Sequence, residues 1–310
     1  MIIQTGQRTD IPAYYSEWFA NRLRERYVLV RNPYNPISVT RYDLTPDVVD
    51  LIGFCSKNPE PMLKHMDLLR PFHQYWFVTI TPYGPEIEPN VPPKENVIET
   101  FLQLSSIVGP DCMGWRYDPI IINDEWTAER HFEVFHDMAK TLSGSTKVCV
   151  ISFIMLYEKV KINFPEVNAI PAKEQIRITE EFVRIGKDFG LTIKPCGDSR
   201  HLIGTGADCS GCMTQSTFET AIGQNLNLPP NPNNRKECAC YITGDIGAYN
   251  TCGHLCRYCY ANSNPKLVAQ NMRMHDPDSP LLTGHLLATD QIHQAKQKTW
   301  IDPQLRLDLH

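Results

Sequence analysis

Residues 148–154 read VCVISFI and residues 75–80 read YWFVTI, two short and almost unbroken apolar runs. Such runs are typical of strands that are buried on both faces of a parallel sheet. Amphipathic helical patterns lie between these and other strand-like runs, as at 132–142 and 174–189. The other strand-like runs are 2–4, 27–30, 49–54, 113–116 with 120–122, and 191–193. This alternation predicts an α/β fold with parallel strands and crossover helices.

Polar residues follow the predicted strands at equivalent points along the chain. They are Arg8 and Asp10, Lys57 and Asn58, Thr81, Arg116 and Asp118, and Cys196. In a β/α barrel the carboxyl ends of the strands build the functional site. The repetition therefore favours a full or partial TIM-like β/α barrel over a doubly wound sheet. Each of these residues taken alone is also compatible with a loop or cap role.

The character of the sequence changes after Cys196. Residues 197–262 are rich in Gly, Asn, Pro and Cys and show little apolar periodicity. A segment with so little core of its own can be held folded by a bound metal. We therefore expect three parts: a barrel core at 1–195, a cysteine-rich segment packed on the barrel at 196–262, and a C-terminal extension at 263–310. In the extension we expect a short helix near 290–298.

The composition of the 310-residue chain argues against several classes of protein. The net charge is −5 and 42% of the residues are hydrophobic, so bulk electrostatics do not indicate a nucleic-acid partner. No apolar run is long enough to cross a bilayer, and the first residues lack the pattern of a signal peptide. We therefore expect no membrane association and a cytoplasmic location, where disulfides are uncommon.

Eight of the 11 cysteines lie between residues 196 and 259. The other three, Cys55, Cys112 and Cys149, lie in or beside apolar runs and are interpreted as small buried side chains. Eight thiols concentrated in one segment of a chain from a reducing compartment favour metal binding over disulfides. The cysteine-rich segment is therefore predicted to hold metal.

The most specific pattern is TCGHLCRYCYAN at residues 251–262, which contains Cys252-x3-Cys256-x2-Cys259. Cysteine thiolates are the usual protein ligands of iron–sulfur clusters. Three thiolates on one short loop can bind three irons of a [4Fe–4S] cluster and leave the fourth iron open to another ligand. The motif therefore predicts a cluster at Cys252, Cys256 and Cys259.

This motif resembles the signature of the radical SAM superfamily. In that superfamily the open iron binds the amino and carboxylate groups of S-adenosylmethionine, and reductive cleavage gives a 5′-deoxyadenosyl radical. The resemblance implies that Tyr258, just before the third cysteine, lies near the adenine. It also implies a reductant such as ferredoxin or flavodoxin. In the superfamily the motif follows the first barrel strand, whereas here it follows the predicted barrel, so the arrangement would be permuted.

A closer resemblance extends over most of the chain. The segments RTDIPAYYSEWF (8–19), WRYDPI (115–120), CACYITGDIGAYNTC (238–252) and CRYCYAN (256–262) resemble an uncharacterised family, the domain of unknown function 1848. That family has a radical-SAM-like cysteine cluster at its C-terminal end. The resemblance supports a permuted barrel but implies no substrate.

A second [4Fe–4S] cluster is predicted from the remaining cysteines of the segment. We assign Cys196, Cys212, Cys238 and Cys240 as its ligands, and Cys212 fits the family pattern better than Cys209, which stays an alternative ligand. The resemblance implies that such an auxiliary cluster relays electrons or binds substrate. Arg116 and Asp118, at a predicted strand end, are candidates for binding S-adenosylmethionine or substrate, with a structural ion pair as the alternative.

Two other functions remain compatible with the sequence. One is a non-catalytic iron–sulfur protein for electron transfer or sensing. The other is a barrel stapled by zinc, in which Cys209-x2-Cys212 pairs with Cys256-x2-Cys259. His254 is interpreted as an exposed loop residue, with a hydrogen bond that tunes the cluster as the alternative. His201 is a candidate metal ligand or acid–base group. Motifs typical of nucleotide hydrolases and zinc proteases are absent.

Overall fold

The structure, a computed structural model, describes residues 1–197, 199–230, 240–241 and 244–303. Ten strands lie within these ranges. In chain order they are β1 (Ile2–Gln4), β2 (Tyr27–Asn32), β3 (Asn35–Asp43), β4 (Leu51–Ser56), β5 (Gln74–Thr79), β6 (Met113–Ile120), β7 (Val148–Phe153), β8 (Thr192–Pro195), β9 (Gly244–Asp245) and β10 (Gln291–Gln294).

The α-helices of the described residues lie mostly between the strands. In chain order they are α1 (Ile11–Tyr14), α2 (Ser16–Glu25), α3 (Glu60–Leu63), α4 (Met66–Leu69), α5 (Lys94–Val108), α6 (Ala128–Leu142), α7 (Glu158–Asn163), α8 (Ala172–Asp188), α9 (Gln215–Ile222) and α10 (Pro265–Arg273). The Thr127 hydroxyl caps α6 by accepting a hydrogen bond from the Arg130 amide at 3.2 Å. Gly190, with φ of 71°, ends the turn after α8.

Seven strands form one all-parallel sheet in the order β8-β7-β6-β5-β4-β1-β9. From β4 to β8, each strand is paired in the sheet with the next strand along the chain, and helices connect the two, as in a β/α barrel. Strand β9 pairs with the free edge of β1, where the last strand of a closed barrel would lie. No ladder joins β8 to β9 among the described residues, so the fold is a partial barrel. This confirms the predicted fold class.

The two faces of the sheet support two separate apolar clusters. On the outer face, alternate strand residues such as Ile3 and Trp76 pack with helix residues such as Phe101 and Phe182. The other strand residues point to the inner face, where Ile2, Tyr75 and Phe77 pack against Cys212, Phe218, Cys240 and Trp300. The cysteine-rich segment therefore covers the inner face of the sheet, and the crossover helices cover the outer face.

A second, three-stranded sheet lies beside the barrel, in the order β10-β3-β2. The predicted strand at 27–30 belongs to it, in an antiparallel hairpin with β3, and not to the main sheet. The short helix expected near 290–298 is wrong, because residues 291–294 form β10, which pairs in parallel with β3. The division of the chain at residues 195 and 262 stays a prediction. Strand β9 of the main sheet comes from the segment after residue 195.

None of the helices in the described part of the chain combines the length and apolar character that a membrane span requires.

Candidate functional site

Strand β9 brings the cysteine motif to the carboxyl edge of the main sheet. Ile3 and Gln4 of β1 pair with Gly244 and Asp245 of β9 in parallel register. The Arg8 guanidinium, just after β1, forms an ion pair with the Asp245 carboxylate and donates to the Asp245 carbonyl oxygen at 2.6 Å. The loop that follows, residues 246–262, therefore starts at the edge where barrel enzymes build their sites. We refer to residues 246–262 as the cysteine loop.

Asp10 holds the cysteine loop against the barrel. Its carboxylate is 5% exposed and accepts four hydrogen bonds. Three come from the Ala13 amide at 3.1 Å, the Ser56 hydroxyl at 2.7 Å and the Lys57 amide at 2.7 Å. The fourth comes from Nε2 of His254 at 2.9 Å. His254 is 2% exposed, so its interpretation as an exposed loop residue is wrong.

Two adjacent tyrosines of the RTDIPAYYSEWF segment also contact the cysteine loop. The Tyr14 hydroxyl lies 3.1 Å from Nδ1 of His254, and the Tyr15 hydroxyl donates to the Thr251 carbonyl oxygen at 2.5 Å. A Cβ atom at Gly253 would lie 2.6 Å from the Tyr14 ring, so the close approach of the loop requires glycine there. These contacts fix the loop segment on both sides of Cys252, from Thr251 to His254.

The loop after β5 contacts the cysteine loop from a third side. The Asn90 amide group donates to the Gly253 carbonyl oxygen at 2.7 Å, and the Arg257 backbone amide donates to the Ile87 carbonyl oxygen at 3.0 Å. The cysteine loop is thus bonded to segments that follow β1 and β5, and Lys57, after β4, lies 5.5 Å from the centre of the Tyr258 ring. Its shape is set by tertiary contacts, because it contains no regular helix or strand of its own.

Cys252, Cys256 and Cys259 lie close enough to one another for their charges to interact. Burial raises the pKa of all three thiols, and the nearby Asp10 carboxylate raises the pKa of Cys252 further. Lys57 acts in the opposite direction on the pKa of Cys256. Three buried thiols that are hard to ionise together become thiolates when they bind a metal, whose positive charge offsets their repulsion.

A buried ion pair lies beside these thiols. Nζ of Lys57 is 3.0 Å from Oε1 of Glu88, and both side chains are almost fully buried. The hydroxyls of Thr81 and Tyr258 donate to the same carboxylate oxygen. Burial by itself would raise the pKa of Glu88, but Lys57 and the two hydroxyl donors hold it below its usual range. Glu88 is therefore ionised and ties Tyr258 to the barrel.

The structure brings three of the four predicted auxiliary ligands together. The Sγ atoms of Cys196 and Cys212 are 3.9 Å apart, and those of Cys212 and Cys240 are 3.1 Å apart. Hydrogen bonds from the thiols of Cys212 and Cys240 hold the pKa of Cys196 well below its usual value. Cys238, the fourth predicted ligand, lies outside the described residues. The geometry favours Cys212 over Cys209, but the ligand assignment itself stays a prediction.

Arg116 and Asp118 lie in the second half of β6, beside this second group of thiols. Nε of Arg116 is 3.1 Å from Oδ2 of Asp118, and the Ser152 hydroxyl donates to Oδ1 of Asp118. Nη2 of Arg116 is also 3.9 Å from the Sγ atom of Cys196. The two residues thus form an ion pair with each other, and the arginine also contacts a predicted ligand.

Some predicted site residues lie elsewhere, and some site residues were missed. His201 contacts Gln175 of α8 at 2.9 Å, away from both groups of thiols. Glu88 and Asp245 were missed, although Glu88 lies in the loop after β5 and Asp245 is the last residue of β9. Glu88 comes from a loop rich in proline, and β9 is too short to recognise. Within the described ranges, no three His, Cys, Asp or Glu side chains have the geometry for a single metal ion.

A model for one protein family, described as Domain of unknown function (DUF1848), matches residues 2–261. The chain belongs to the DUF1848 family. The DUF1848 match includes all seven strands of the main sheet, both groups of thiols and Cys238, and it ends just after the third cysteine of the loop. It excludes α10 and β10. No curated protein matches the chain.

Proposed function

We propose that this DUF1848 protein is a radical SAM-type enzyme with a [4Fe–4S] cluster bound by Cys252, Cys256 and Cys259. The observation that supports this proposal most is the position of the cysteine loop. The loop follows a strand paired with β1 and lies at the carboxyl edge of a partial barrel. The position is reached from the C-terminal side of the chain, as the permuted arrangement requires.

The residues around the loop fit such a cluster. Three cysteine thiols on one loop are a suitable donor set, and the Ala261 amide donates to the Cys259 sulfur at 3.3 Å. The buried Oδ1 atom of Asn262 has no hydrogen-bond partner among the described residues. When bound, the cluster would supply the electron that cleaves S-adenosylmethionine into methionine and a 5′-deoxyadenosyl radical.

The protein's own residues would orient the bound S-adenosylmethionine and exclude water. Glu88 fixes the Tyr258 ring through its hydroxyl, and Lys57 lies 5.5 Å from the centre of that ring. The Tyr258 ring would thus be fixed in one orientation, in which the adenine could stack on it. Arg116 and Asp118 stay candidates for contacts with S-adenosylmethionine or substrate at the neighbouring strand end.

Cys196, Cys212 and Cys240, with Cys238, would bind an auxiliary cluster in the same protein. The contact between Arg116 and Cys196 supports this part of the proposal, because a cation beside the thiols favours their ionised form. A small electron-transfer protein such as ferredoxin or flavodoxin would act as the reductant.

The test uses the full chain, purified and reconstituted without oxygen. We expect about eight irons per chain, as two [4Fe–4S] clusters require. The EPR spectrum of the reduced protein should change when S-adenosylmethionine is added, and 5′-deoxyadenosine should form. In a Cys256→Ala variant about four irons should remain and 5′-deoxyadenosine should not form.

Cys112→Ala is the matched control, because Cys112 is a partly buried cysteine outside both groups of thiols. It should keep the iron content and the response to S-adenosylmethionine. Iron without any response would contradict the enzyme and favour an electron-transfer or sensing protein. Zinc with no reconstitutable iron would contradict the whole proposal and leave the zinc-stapled alternative.

A further inference from the structure

A cavity of about 740 Å³ opens beside the cysteine loop. Its lining comes from the carboxyl edge of the main sheet, since Arg8 follows β1, Tyr157 follows β7 and Tyr249 follows β9. The β2–β3 hairpin forms the opposite wall with residues 29–36. This volume is within the range of small-molecule sites, and the position is the one where parallel sheets bind ligands.

Four tyrosines line the cavity: Tyr34, Tyr157, Tyr249 and Tyr260. The ring centres of Tyr157 and Tyr260 are 6.1 Å apart. Tyr260 is 43% exposed, while its hydroxyl donates to the Gln7 carbonyl oxygen at 2.5 Å. The hydroxyl is therefore used inside the protein and the side of the ring is open to the cavity. Because Tyr260 directly follows Cys259, this ring connects the cavity to the cysteine loop.

Most charged groups of the cavity wall are already paired. Arg8 is paired with Asp245, Arg31 with Asp290 through bonds of 2.5 and 2.7 Å, and Glu158 with Lys161 at 2.6 Å. Lys159 differs, because within the described part of the chain its ammonium forms no ion pair with a carboxylate. The ammonium donates to the Tyr260 carbonyl oxygen at 3.1 Å and lies 5.4 Å from the centre of the Tyr249 ring.

We propose that this cavity binds a planar aromatic anion. The ring of the ligand would pack among Tyr157, Tyr249 and Tyr260, and its acidic group would accept hydrogen bonds from Lys159. The lysine is suited to this role because two of its three N–H donors remain after the bond to Tyr260. The acidic group can be a phosphate or a carboxylate, since both are anionic oxygen acceptors.

If the proposed function is correct, the aromatic anion is the substrate of the enzyme, and in this respect alone the inference rests on the proposed function. Binding of the anion itself requires neither iron nor S-adenosylmethionine. The cavity lies next to the cysteine loop, where radical chemistry would begin. Binding without cleavage of S-adenosylmethionine would contradict the proposed enzyme and leave the binding site intact. Cleavage without binding would contradict the binding site alone.

The test is calorimetric titration of the full chain with four probes: uridine 5′-monophosphate, uridine, ribose 5-phosphate and 4-hydroxyphenylacetate. We expect at least one of the two aromatic anions to bind more tightly than uridine, which lacks the acidic group, and ribose 5-phosphate, which lacks the aromatic ring. Lys159→Gln should weaken that binding about tenfold, the value of one charge-assisted hydrogen bond. It should leave the affinity for uridine unchanged.

Lys140→Gln is the matched control, since Lys140 is an exposed lysine of α6 and does not line the cavity. It should bind the aromatic anion as the native protein does. Tyr249→Leu should weaken the binding of whichever aromatic anion binds the native protein. The inference is overturned if neither aromatic anion binds, if ribose 5-phosphate binds equally well, or if the two lysine variants bind alike.

Discussion

At the scale of single residues, Asp10 is the side chain on which the cysteine loop depends most. Its four hydrogen bonds join the start of α1, the end of β4 and the middle of the loop. A buried carboxylate is stable in this position because donors occupy both of its oxygens. Replacing the carboxylate would destabilise the protein, because the buried donors would lose their acceptor and no water could take its place.

We expect Asp10→Asn to lower the free energy of unfolding by about 3 kcal/mol, because the NH2 group of the amide cannot accept, so that the two donors facing it lose their acceptor. Urea denaturation of both proteins measures the difference. Asp67→Asn is the control, since Asp67 is 88% exposed and pairs only with Arg70. It should change the stability by less than about 0.5 kcal/mol. Equal losses in the two variants would contradict the role assigned to Asp10.

The residue scale is also where sequence reasoning was least complete. Arg8, Asp10, Lys57 and Thr81 were predicted to lie at strand ends, and each does. Their partners could not be predicted, because Asp245, His254 and Glu88 are distant in sequence and no local pattern pairs them. His254 was placed in solvent because a histidine between two cysteines of a glycine-containing loop has no periodic apolar neighbours.

At the scale of elements, the docking of α6 on β6 depends on a buried histidine. Nε2 of His131 donates to the Ile121 carbonyl oxygen at 2.8 Å, and the Tyr117 hydroxyl donates to Nδ1 at 2.6 Å. Both bonds fit the neutral ring. Burial lowers the pKa of His131 to about 4, whereas the unfolded chain binds a proton there near pH 6.5.

This difference in pKa between the folded and unfolded states predicts that acid lowers the free energy of unfolding through His131 of α6. Because the unfolded state binds the proton first, stability is lost as the pH falls from about 6.5 towards 4, by about 2 kcal/mol between pH 7 and pH 5. Urea denaturation at the two pH values measures it. His131→Asn should remove this share of the pH dependence, whereas His136→Asn, on the exposed side of the same helix, should not. An unchanged pH dependence in His131→Asn would contradict the prediction.

Long elements were predicted well and short ones were not. Strands β5 and β7 have continuous apolar runs, helices α6 and α8 have amphipathic periodicity, and the structure confirms each of them. Strand β9 has only two residues, Gly244 and Asp245, and its pairing with β1 gives no local signal. Residues 291–294 were expected to be helical, but all four are exposed on the edge of the small sheet, where the ladder with β3 decides their conformation.

At the scale of the whole molecule, the main sheet separates an outer apolar core from an inner one, and only the inner core includes cysteines that are predicted to bind a cluster. The outer core consists mainly of strand and helix side chains, and the cysteine loop contributes only Ile246, Ala248 and Tyr258 to it. The inner core contains Cys212 and Cys240 themselves. Loss of bound metal would therefore weaken the inner core and leave the outer core packed.

We expect removal of iron from the reconstituted protein to increase hydrogen exchange around Cys212 and in the cysteine loop. Helices α5 and α6 should keep their protection, because they pack on the outer face. Hydrogen exchange with mass spectrometry, before and after anaerobic chelation, measures both regions in one sample. A uniform loss over the chain would contradict the separation of the two cores, and no change would contradict metal binding by the cysteines.

The position of β9 late in the chain also determines the order of events during synthesis. Asp10, Tyr14, Lys57 and Glu88 leave the ribosome long before the three cysteines of the loop, and the strands β1, β4 and β5 that hold them can pair by then. The cysteines are therefore made after every segment before β9 that contacts them in the folded protein. A protein with the same motif after its first strand would instead expose its thiols to the cell for nearly the whole of translation.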